Sequence, residues 1–286
     1  MTAQIRTLIN GIAAEYLAAD DRSIQFGDGL FETMLVRDGR VIQLAEHLDR
    51  LLVSAQRLSI SMPQRRVFID DIDKLIDEAG SACGVIKLIV TRGRSSRGYQ
   101  YDRQAGSNRL VRFSAIQRQY SSILSAELLR GDLCFCNTPA SVNTALAGIK
   151  HLNRLDNVLA RNEFAADRYI DGLMSDVDGH VIEGSMSNLF AIRDRVLYTP
   201  DLGRAGVDGV MRNTVLELAG QAGIEYSVCT LTRPELEQMD CLFITNSLIG
   251  MKAVDNLEDT HYSDFSLCEQ LFEQLLTYLK ESEVSA

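Results

Sequence analysis

Apolar residues recur along this chain with two periods, the two-residue period of strands and the three-to-four-residue period of helices. Segments 31–36 and 41–44 are mostly apolar and lie on either side of Asp38 and Gly39. An Asp-Gly pair favours the positive φ angles of a tight turn, so this pattern predicts a β-hairpin. The same criteria predict amphipathic helices at 48–58 and 65–78, the second ending at Gly80, and strands at 5–9, 85–91 and 110–116.

The apolar periodicity stops in the polar stretch 117–122 and resumes at 128–136. Domain boundaries fall in such connections, so we expect a linker at 117–122 between an N-terminal domain, residues 1–116, and a C-terminal domain, residues 123–286. Strands, hairpins and helices mixed without a regular βαβ repeat indicate two α+β domains. The C-terminal pattern predicts helices at 155–169, 210–222, 232–235 and 265–279, and strands at 128–136, 226–231, 241–245 and around Gly172, Val181 and Leu189.

Composition narrows the class of protein. A chain of 286 residues with 46% apolar and 24% charged residues is typical of a soluble globular protein. The net charge of −10 disfavours general nucleic-acid binding and favours a small-molecule partner. No apolar stretch reaches the roughly 18 residues that cross a bilayer, and the residues after Met1 do not form a signal peptide. We therefore expect a cytoplasmic protein with reduced cysteines.

Most motif-based chemistries find no support in this sequence. The four histidines have no HxxxH or HExxH partner, which argues against a catalytic metal. Residues 184–187 lack the second glycine of a GxSxG elbow, and no glycine-rich nucleotide-binding sequence occurs. What remains are lysines, isolated acids and glycine-containing turns. A pyridoxal phosphate site needs such a set: a lysine amine, an acid for the pyridine nitrogen and donors for a phosphate.

Few lysines are available for that chemistry. Lys74 and Lys280 fall on the polar faces of predicted helices, where they would be solvated. Lys87 lies inside an apolar strand, and it fits a functional amine as well as a charge at a sheet edge or domain interface. Lys150 lies where a loop meets a helix, and on local sequence alone it fits a surface lysine as well as a cofactor-binding one.

The sequence also resembles a known family. The chain is similar to the class IV aminotransferases, which are fold-type IV pyridoxal phosphate enzymes. This resemblance implies a small N-terminal α/β domain and a larger C-terminal domain with a barrel-like sheet. It rests on six blocks in the order seen in that family, at 25–33 (QFGDGLFET), 46–50 (EHLDR), 148–155 (GIKHLNRL), 183–190 (EGSMSNLF), 206–212 (GVDGVMR) and 245–250 (TNSLIG).

The resemblance also implies roles for single residues toward pyridoxal 5'-phosphate. Lys150 matches the lysine that binds the cofactor covalently, and Glu183 matches the acid that pairs with the pyridine nitrogen. Without the resemblance, Glu183 would be interpreted as a solvated charge beside a turn. The phosphate would be held by Arg50, by the hydroxyl of Ser247 and by the backbone amides of Val210 and Met211 at a helix start.

Further residues match positions near the substrate. Thr33 matches a threonine implicated in proton transfer, although an ordinary strand threonine fits the local sequence equally. Arg97 and Tyr99 lie in a loop that approaches the site in the family, where Arg offers two parallel donors to a carboxylate. Both also fit solvated loop residues. Asn246 is a further candidate for substrate binding.

Within the family, segments 148–155 and 92–99 are more similar to the aminodeoxychorismate lyases than to the branched-chain or D-amino acid aminotransferases. The implied reaction converts 4-amino-4-deoxychorismate to 4-aminobenzoate and pyruvate in folate biosynthesis, in a homodimer whose loop 92–99 serves the site. One departure is Lys252-Ala253-Val254, where many relatives have a proline before the valine. An aminotransferase remains the alternative. A binding protein without catalysis would be expected to lack Lys150 or Glu183, and both are present.

Overall fold

A computed structural model describes residues 6–94, 98–103, 105–117 and 121–284. Arg97 and residues 118–120 of the predicted linker lie outside these ranges. Contacts divide the chain into two units. The first comprises Met1–Arg118 with Lys150–Asn153, and the second comprises Gln119–Ile149 with Arg154–Ala286. The short segment that carries Lys150 is therefore assigned to the first unit, although residues on both sides of it belong to the second.

The first unit is a six-stranded antiparallel sheet with helices. Its strand order is β2-β1-β6-β5-β3-β4. Helix α2 packs on β3, and α3 packs on β1 and β6, which buries the face that carries Met34 and Leu88. In chain order the elements are β1 (Arg6–Ile9), β2 (Ile12–Ala13), α1 (Arg22–Phe26), β3 (Gly29–Arg37), β4 (Arg40–Val41), α2 (Leu44–Leu58), α3 (Arg65–Ala79), β5 (Gly84–Thr91) and β6 (Asn108–Ala115).

Most sequence predictions for this unit are confirmed. Val36 pairs with Val41 across the β3–β4 hairpin, and Asp38 and Gly39 both have the positive φ angles expected of its turn. The two amphipathic helices form where apolar residues recur at helical spacing. Gly80 ends α3 in the left-handed conformation, at φ 63°.

The second unit contains a mixed nine-stranded sheet. Its order is β12-β11-β10-β13-β14-β7-β8-β9, with β15 paired to β14. β9, at one end of this order, also contacts β10 and β11, so the sheet curls back on itself as in a barrel. The elements are α4 (Ser122–Ser125), β7 (Leu129–Phe135), α5 (Leu155–Arg161), β8 (Tyr169–Ser175), β9 (Val181–Gly184), β10 (Asn188–Arg193), β11 (Val196–Pro200), α6 (Val210–Gln221), β12 (Tyr226–Cys229), α7 (Arg233–Leu236), β13 (Cys241–Asn246), β14 (Gly250–Leu257), β15 (Thr260–His261) and α8 (Ser266–Val284).

One predicted helix is wrong over half its length. The pattern at 155–169 indicates a single helix, but α5 ends at Arg161. Glu163 turns away and its carboxylate accepts the Thr138 N–H at 2.8 Å. Tyr169 then starts β8 by pairing with Asp132 of β7. Tertiary pairing overrides the local helical period in this segment.

Four strands, β2, β11, β14 and β15, were not predicted, whereas the capping box at Thr232 and Glu235 is confirmed. Within the described residues, no helix combines the length and apolar character needed to cross a membrane.

Candidate functional site

The segment Lys150–Asn153 is attached to β3 by backbone pairing. The N–H of Phe31 donates to the Lys150 carbonyl at 3.0 Å, and the N–H of Leu152 donates to the Gly29 carbonyl at 3.0 Å. Position 29 admits only glycine, because an added Cβ would lie 2.6 Å from the Val90 carbonyl oxygen of β5 and 2.7 Å from the Leu152 side chain. The two backbone hydrogen bonds fix the backbone of Lys150 relative to the sheet of the first unit.

Two lysine amines lie over one aromatic ring. Nζ of Lys150 is 4.5 Å from the centroid of the Phe31 ring, and Nζ of Lys87 is 3.7 Å from it. A cation–π contact holds an ammonium group in place without requiring it to donate a hydrogen bond to a carboxylate. Burial lowers the pKa of Lys87, and the charge of Glu32 opposes this effect in part. Sequence reasoning left the role of Lys87 open and did not connect it with Lys150.

A buried charged cluster lies on the other face of β3. Glu32 accepts hydrogen bonds from His47 Nδ1 at 2.7 Å, from Arg50 Nε at 2.9 Å and from Arg50 Nη2. Burial alone would raise the pKa of Glu32, but the Arg50 charge and these hydrogen bonds lower it to about 2. Burial also lowers the pKa of His47, so this imidazole is neutral at pH 7. Arg50, the predicted phosphate ligand, is therefore oriented by Glu32.

In the second unit, Glu183 is buried and fixed. It lies at the end of β9, it is 6% exposed, and its Oε2 accepts the N–H of Val207 at 2.8 Å. Gly206 makes this approach possible, since its φ is +83° and an added Cβ would lie 2.9 Å from the Ile182 side chain. A buried carboxylate with a fixed orientation is suited to pair with a protonated ring nitrogen, unlike a carboxylate that is exposed to solvent.

The loop after Glu183 is organised by an acid that sequence reasoning missed. Asp171 on β8 is fully buried and accepts the hydroxyls of Ser185 at 2.5 Å and Ser187 at 2.6 Å. It also accepts the N–H of Met186 at 3.2 Å. A carboxylate inside an otherwise apolar strand was the signal that could have identified it, because buried charges require such partners.

The start of α6 offers backbone donors. Gly209 precedes this twelve-residue helix, and the amides of Val210 and Met211 belong to the first turn, whose N–H groups have no acceptor within the helix. Asn188 fixes the approach to the helix by donating its side-chain N–H to the Val207 carbonyl at 2.9 Å. The positive end of a helix of this length favours a phosphate.

The remaining candidates have different surroundings. Ser247 lies in the turn after β13 and is partly buried. Asn246 is committed to local structure: its Oδ1 accepts the N–H groups of Leu248 and Ile249, each at 2.9 Å, and its Nδ2 donates to Met186. Thr33 lies on β3 directly opposite Lys87 of β5. Tyr99 is 83% exposed, with its ring 5.3 Å from that of Phe26.

These groups fit pyridoxal phosphate by the chemistry of their donors. The first unit supplies an amine at Lys150 and a guanidinium at Arg50. The second supplies a buried carboxylate at Glu183, the amides at the start of α6 and the hydroxyl of Ser247. A pyridine nitrogen, an aldehyde and a phosphate dianion each find a matching group in this set.

The chain belongs to a known family of enzymes. Residues 29–257 match the family described as Amino-transferase class IV. The matched range includes every residue predicted to contact the cofactor, from Arg50 to Ser247.

Individual relatives are lyases and aminotransferases. The aminodeoxychorismate lyase of Vibrio harveyi is 32% identical over 87% of this chain and 90% of its own length. A putative branched-chain-amino-acid aminotransferase of Methanocaldococcus jannaschii is 30% identical over 79% of this chain and 77% of its own. The crystal structure of 4-amino-4-deoxychorismate lyase from Pseudomonas aeruginosa superimposes with a TM-score of 0.85 at 37% identity, covering 94% of this chain and 97% of that one. The predicted fold-type IV architecture is confirmed.

Proposed function

We propose that this chain is a pyridoxal phosphate-dependent carbon–oxygen lyase that converts 4-amino-4-deoxychorismate to 4-aminobenzoate and pyruvate. The observation that carries the proposal is the Lys150 amine, placed over the Phe31 ring by backbone pairing with β3 in a chain similar to aminodeoxychorismate lyases. The reaction would belong to the synthesis of folate precursors in the cytoplasm.

When bound, the cofactor supplies an aldehyde that takes up an amine and a ring that accepts electrons. Lys150 would hold the cofactor covalently, and its amine would take up the proton from the substrate carbon that bears nitrogen. Glu183 would keep a proton on the pyridine nitrogen, because a buried carboxylate stabilises that positive charge. Its hydrogen bond from Val207 sets the orientation of the carboxylate.

The phosphate is assigned to three kinds of donor. Arg50 contributes a guanidinium oriented by Glu32, and Ser247 contributes a hydroxyl. Val210 and Met211 contribute backbone amides at the positive end of α6. Together these donors would anchor the cofactor, and this anchoring would fix the positions of the groups that react.

The reaction needs no second substrate. One C–H bond and the C–O bond of the enolpyruvyl ether break, and the ring becomes aromatic as 4-aminobenzoate. The departing enolpyruvate takes up one proton and becomes pyruvate, so atoms and electrons balance. Thr33 is assigned to this proton transfer. Arg97, Tyr99 and Asn246 are assigned to substrate binding, with Asn246 limited to its one remaining N–H.

We also assign a homodimer to this enzyme. α5 presents Leu155, Val158 and Leu159 at helical spacing, and these side chains are 78%, 52% and 61% exposed. An apolar stripe of this kind is typical of an interface. Light scattering on Leu155→Glu/Leu159→Glu should report a monomer where the parent chain is a dimer. A parent chain that remains monomeric at all concentrations would remove the dimer from the proposal.

Product analysis tests the proposed reaction directly. Purified protein incubated with enzymatically generated aminodeoxychorismate should release 4-aminobenzoate and pyruvate in equal amounts. Borohydride reduction followed by peptide mapping should place the pyridoxyl group on Lys150. Lys150→Ala should lose the products, whereas Lys280→Met, an exposed lysine on α8, should not.

A branched-chain or D-amino acid aminotransferase is the second candidate, favoured by the 30% identity to the Methanocaldococcus jannaschii protein. Amino transfer from such donors without release of 4-aminobenzoate would select it. Pyridoxyl on Lys87 instead of Lys150 would overturn the site assignment for both candidates.

A further inference from the structure

Four side chains share the face of the first sheet opposite to α2 and α3. Lys87 on β5 lies directly opposite Thr33 of β3 on one side and Arg112 of β6 on the other. Residues directly opposite in an antiparallel pair project from the same face, with Cβ atoms about 5 Å apart. Phe31 lies two residues before Thr33 and therefore also projects from this face.

Two cations thus stand side by side in the sheet. Like charges directly opposite each other destabilise a strand pair, so an arrangement of Lys87 beside Arg112 costs free energy unless an anion offsets it. Among the residues that the structure describes, no carboxylate forms an ion pair with either side chain. Glu32, the acid whose charge acts on Lys87, projects from the opposite face and is already bound by His47 and Arg50.

Lys87 is also partly withdrawn from water. Its ammonium group lies 3.7 Å from the centre of the Phe31 ring, the ring that the Lys150 amine also contacts. Burial lowers the pKa of Lys87, because the charged ammonium group is less stable in this partly buried position than in water. An ammonium group with donors left over, beside the amine assigned to the reaction, is suited to an anion that arrives with the substrate.

We infer that Lys87 and Arg112 form a binding subsite for a carboxylate of the substrate, next to Thr33 and the Lys150 amine. This inference rests on the proposed function and deepens it. Aminodeoxychorismate carries two carboxylates, one on the ring and one on the enolpyruvyl ether, whereas D-alanine and the branched-chain amino acids carry one. The subsite therefore favours a dicarboxylate over an amino acid with one carboxylate. One substrate carboxylate would bind Lys87 and Arg112, and the other would be left to the loop that contains Tyr99.

Chorismate provides a probe that binds without reacting. It has the two carboxylates of the substrate but a hydroxyl in place of the amine, so it cannot bond to the cofactor. Calorimetric titration of the holoenzyme with chorismate should give a Kd that rises at least about tenfold in Lys87→Met, as expected for loss of a charge-assisted hydrogen bond. Arg112→Gln should raise it about two- to threefold, because this side chain is exposed and its charge is screened.

Lys280→Met is the matched control, since it removes one exposed positive charge from α8 and should leave the Kd unchanged. The cofactor absorbance and the Tm of each variant should equal those of the parent chain, which separates loss of the subsite from loss of the fold. Titration with 4-hydroxybenzoate distinguishes the two carboxylates. Weakening of both ligands in Lys87→Met assigns the subsite to the ring carboxylate, and weakening of chorismate alone assigns it to the enolpyruvyl carboxylate.

Equal chorismate affinity in the parent chain and Lys87→Met overturns the subsite, as does a parent holoenzyme that does not bind chorismate. In turnover, Lys87→Met should raise KM for aminodeoxychorismate by more than it lowers kcat, because the contact is made before the transition state. Failure of the proposed function has a different signature. A parent chain that binds chorismate through Lys87 but forms no 4-aminobenzoate retains the subsite and loses the lyase activity.

Discussion

Glu32 and Arg50 form a bidentate ion pair, in which the two carboxylate oxygens accept hydrogen bonds from Nε and Nη2 of one guanidinium group. The Glu32 side chain is 1% exposed and that of Arg50 is 12% exposed. A guanidinium fixed in this way loses little further freedom when it binds a phosphate. Glu32 therefore orients Arg50, and we expect it to contribute to stability as well as to cofactor binding.

Removing the Glu32 charge should have two measurable effects. Glu32→Gln leaves the largely buried Arg50 guanidinium without its counter-charge, and we expect the free energy of unfolding to fall by about 3 kcal/mol. Pyridoxal phosphate should also bind more weakly, because Arg50 is no longer oriented. Urea unfolding and equilibrium dialysis measure the two effects. Asp49→Asn, which breaks an exposed ion pair with Arg65, should cost less than about 1 kcal/mol.

The same cluster makes stability depend on pH. Burial lowers the pKa of His47, so below about pH 6.5 the unfolded chain takes up a proton that the folded chain does not. Glu32 acts in the same direction at lower pH, since its pKa falls from 4.5 to about 2 on folding. The free energy of unfolding should therefore decrease from pH 7 to pH 3.

Urea unfolding at intervals across this range measures that slope. In Glu32→Gln the slope between pH 5 and pH 3 should be smaller than in the parent chain, because one of the depressed carboxyl groups is gone. Identical slopes in the two chains would mean that folding does not lower the pKa of Glu32.

A neutral side chain at position 183 should separate cofactor binding from catalysis. Glu183→Gln keeps the size of the side chain and can still accept from the Val207 N–H, so we expect cofactor to remain bound. The rate of 4-aminobenzoate formation should fall by about 100-fold or more, because an amide does not hold a proton on the pyridine nitrogen. Glu225→Gln, at an exposed acid, is the control. Near-normal turnover in Glu183→Gln would place the acid elsewhere.

Turn chemistry explains why the β3–β4 hairpin was predicted and β11 was not. The β3–β4 hairpin has Asp38 and Gly39 at its turn, a pair that signals positive φ angles. The β10–β11 hairpin uses Asp194 and Arg195 at φ 50° and 63° instead. Arginine rarely adopts this conformation, so the sequence contains no recognisable turn and β11 was missed. The Asp194 N–H donates to Asp240 at 2.8 Å, a contact that no local pattern contains.

The candidate site likewise contains residues that the sequence predicted and residues that only the structure identifies. Lys150, Glu183 and the glycine-containing turn at Gly206 were identified because they lie in blocks that resemble a family. Lys87 and Asp171 depend on neighbours that are distant in sequence, the first on Thr33 and Arg112 across the sheet and the second on the loop after β9. Register and burial decide their roles, and a linear pattern contains neither.

Thr33 distinguishes a proton donor from an ordinary strand residue. Thr33→Val is close in shape, so cofactor absorbance, Tm and chorismate affinity should stay near those of the parent chain. If the hydroxyl transfers a proton during pyruvate release, kcat should fall by about 100-fold or more, as is typical for loss of a general acid. KM should change little, because the interaction is made mainly in the transition state. Thr277→Val, at an exposed threonine of α8, controls for the substitution itself. Parent-like production of 4-aminobenzoate by Thr33→Val would leave Thr33 as a packing residue opposite Lys87, and the proton would then have to come from another group.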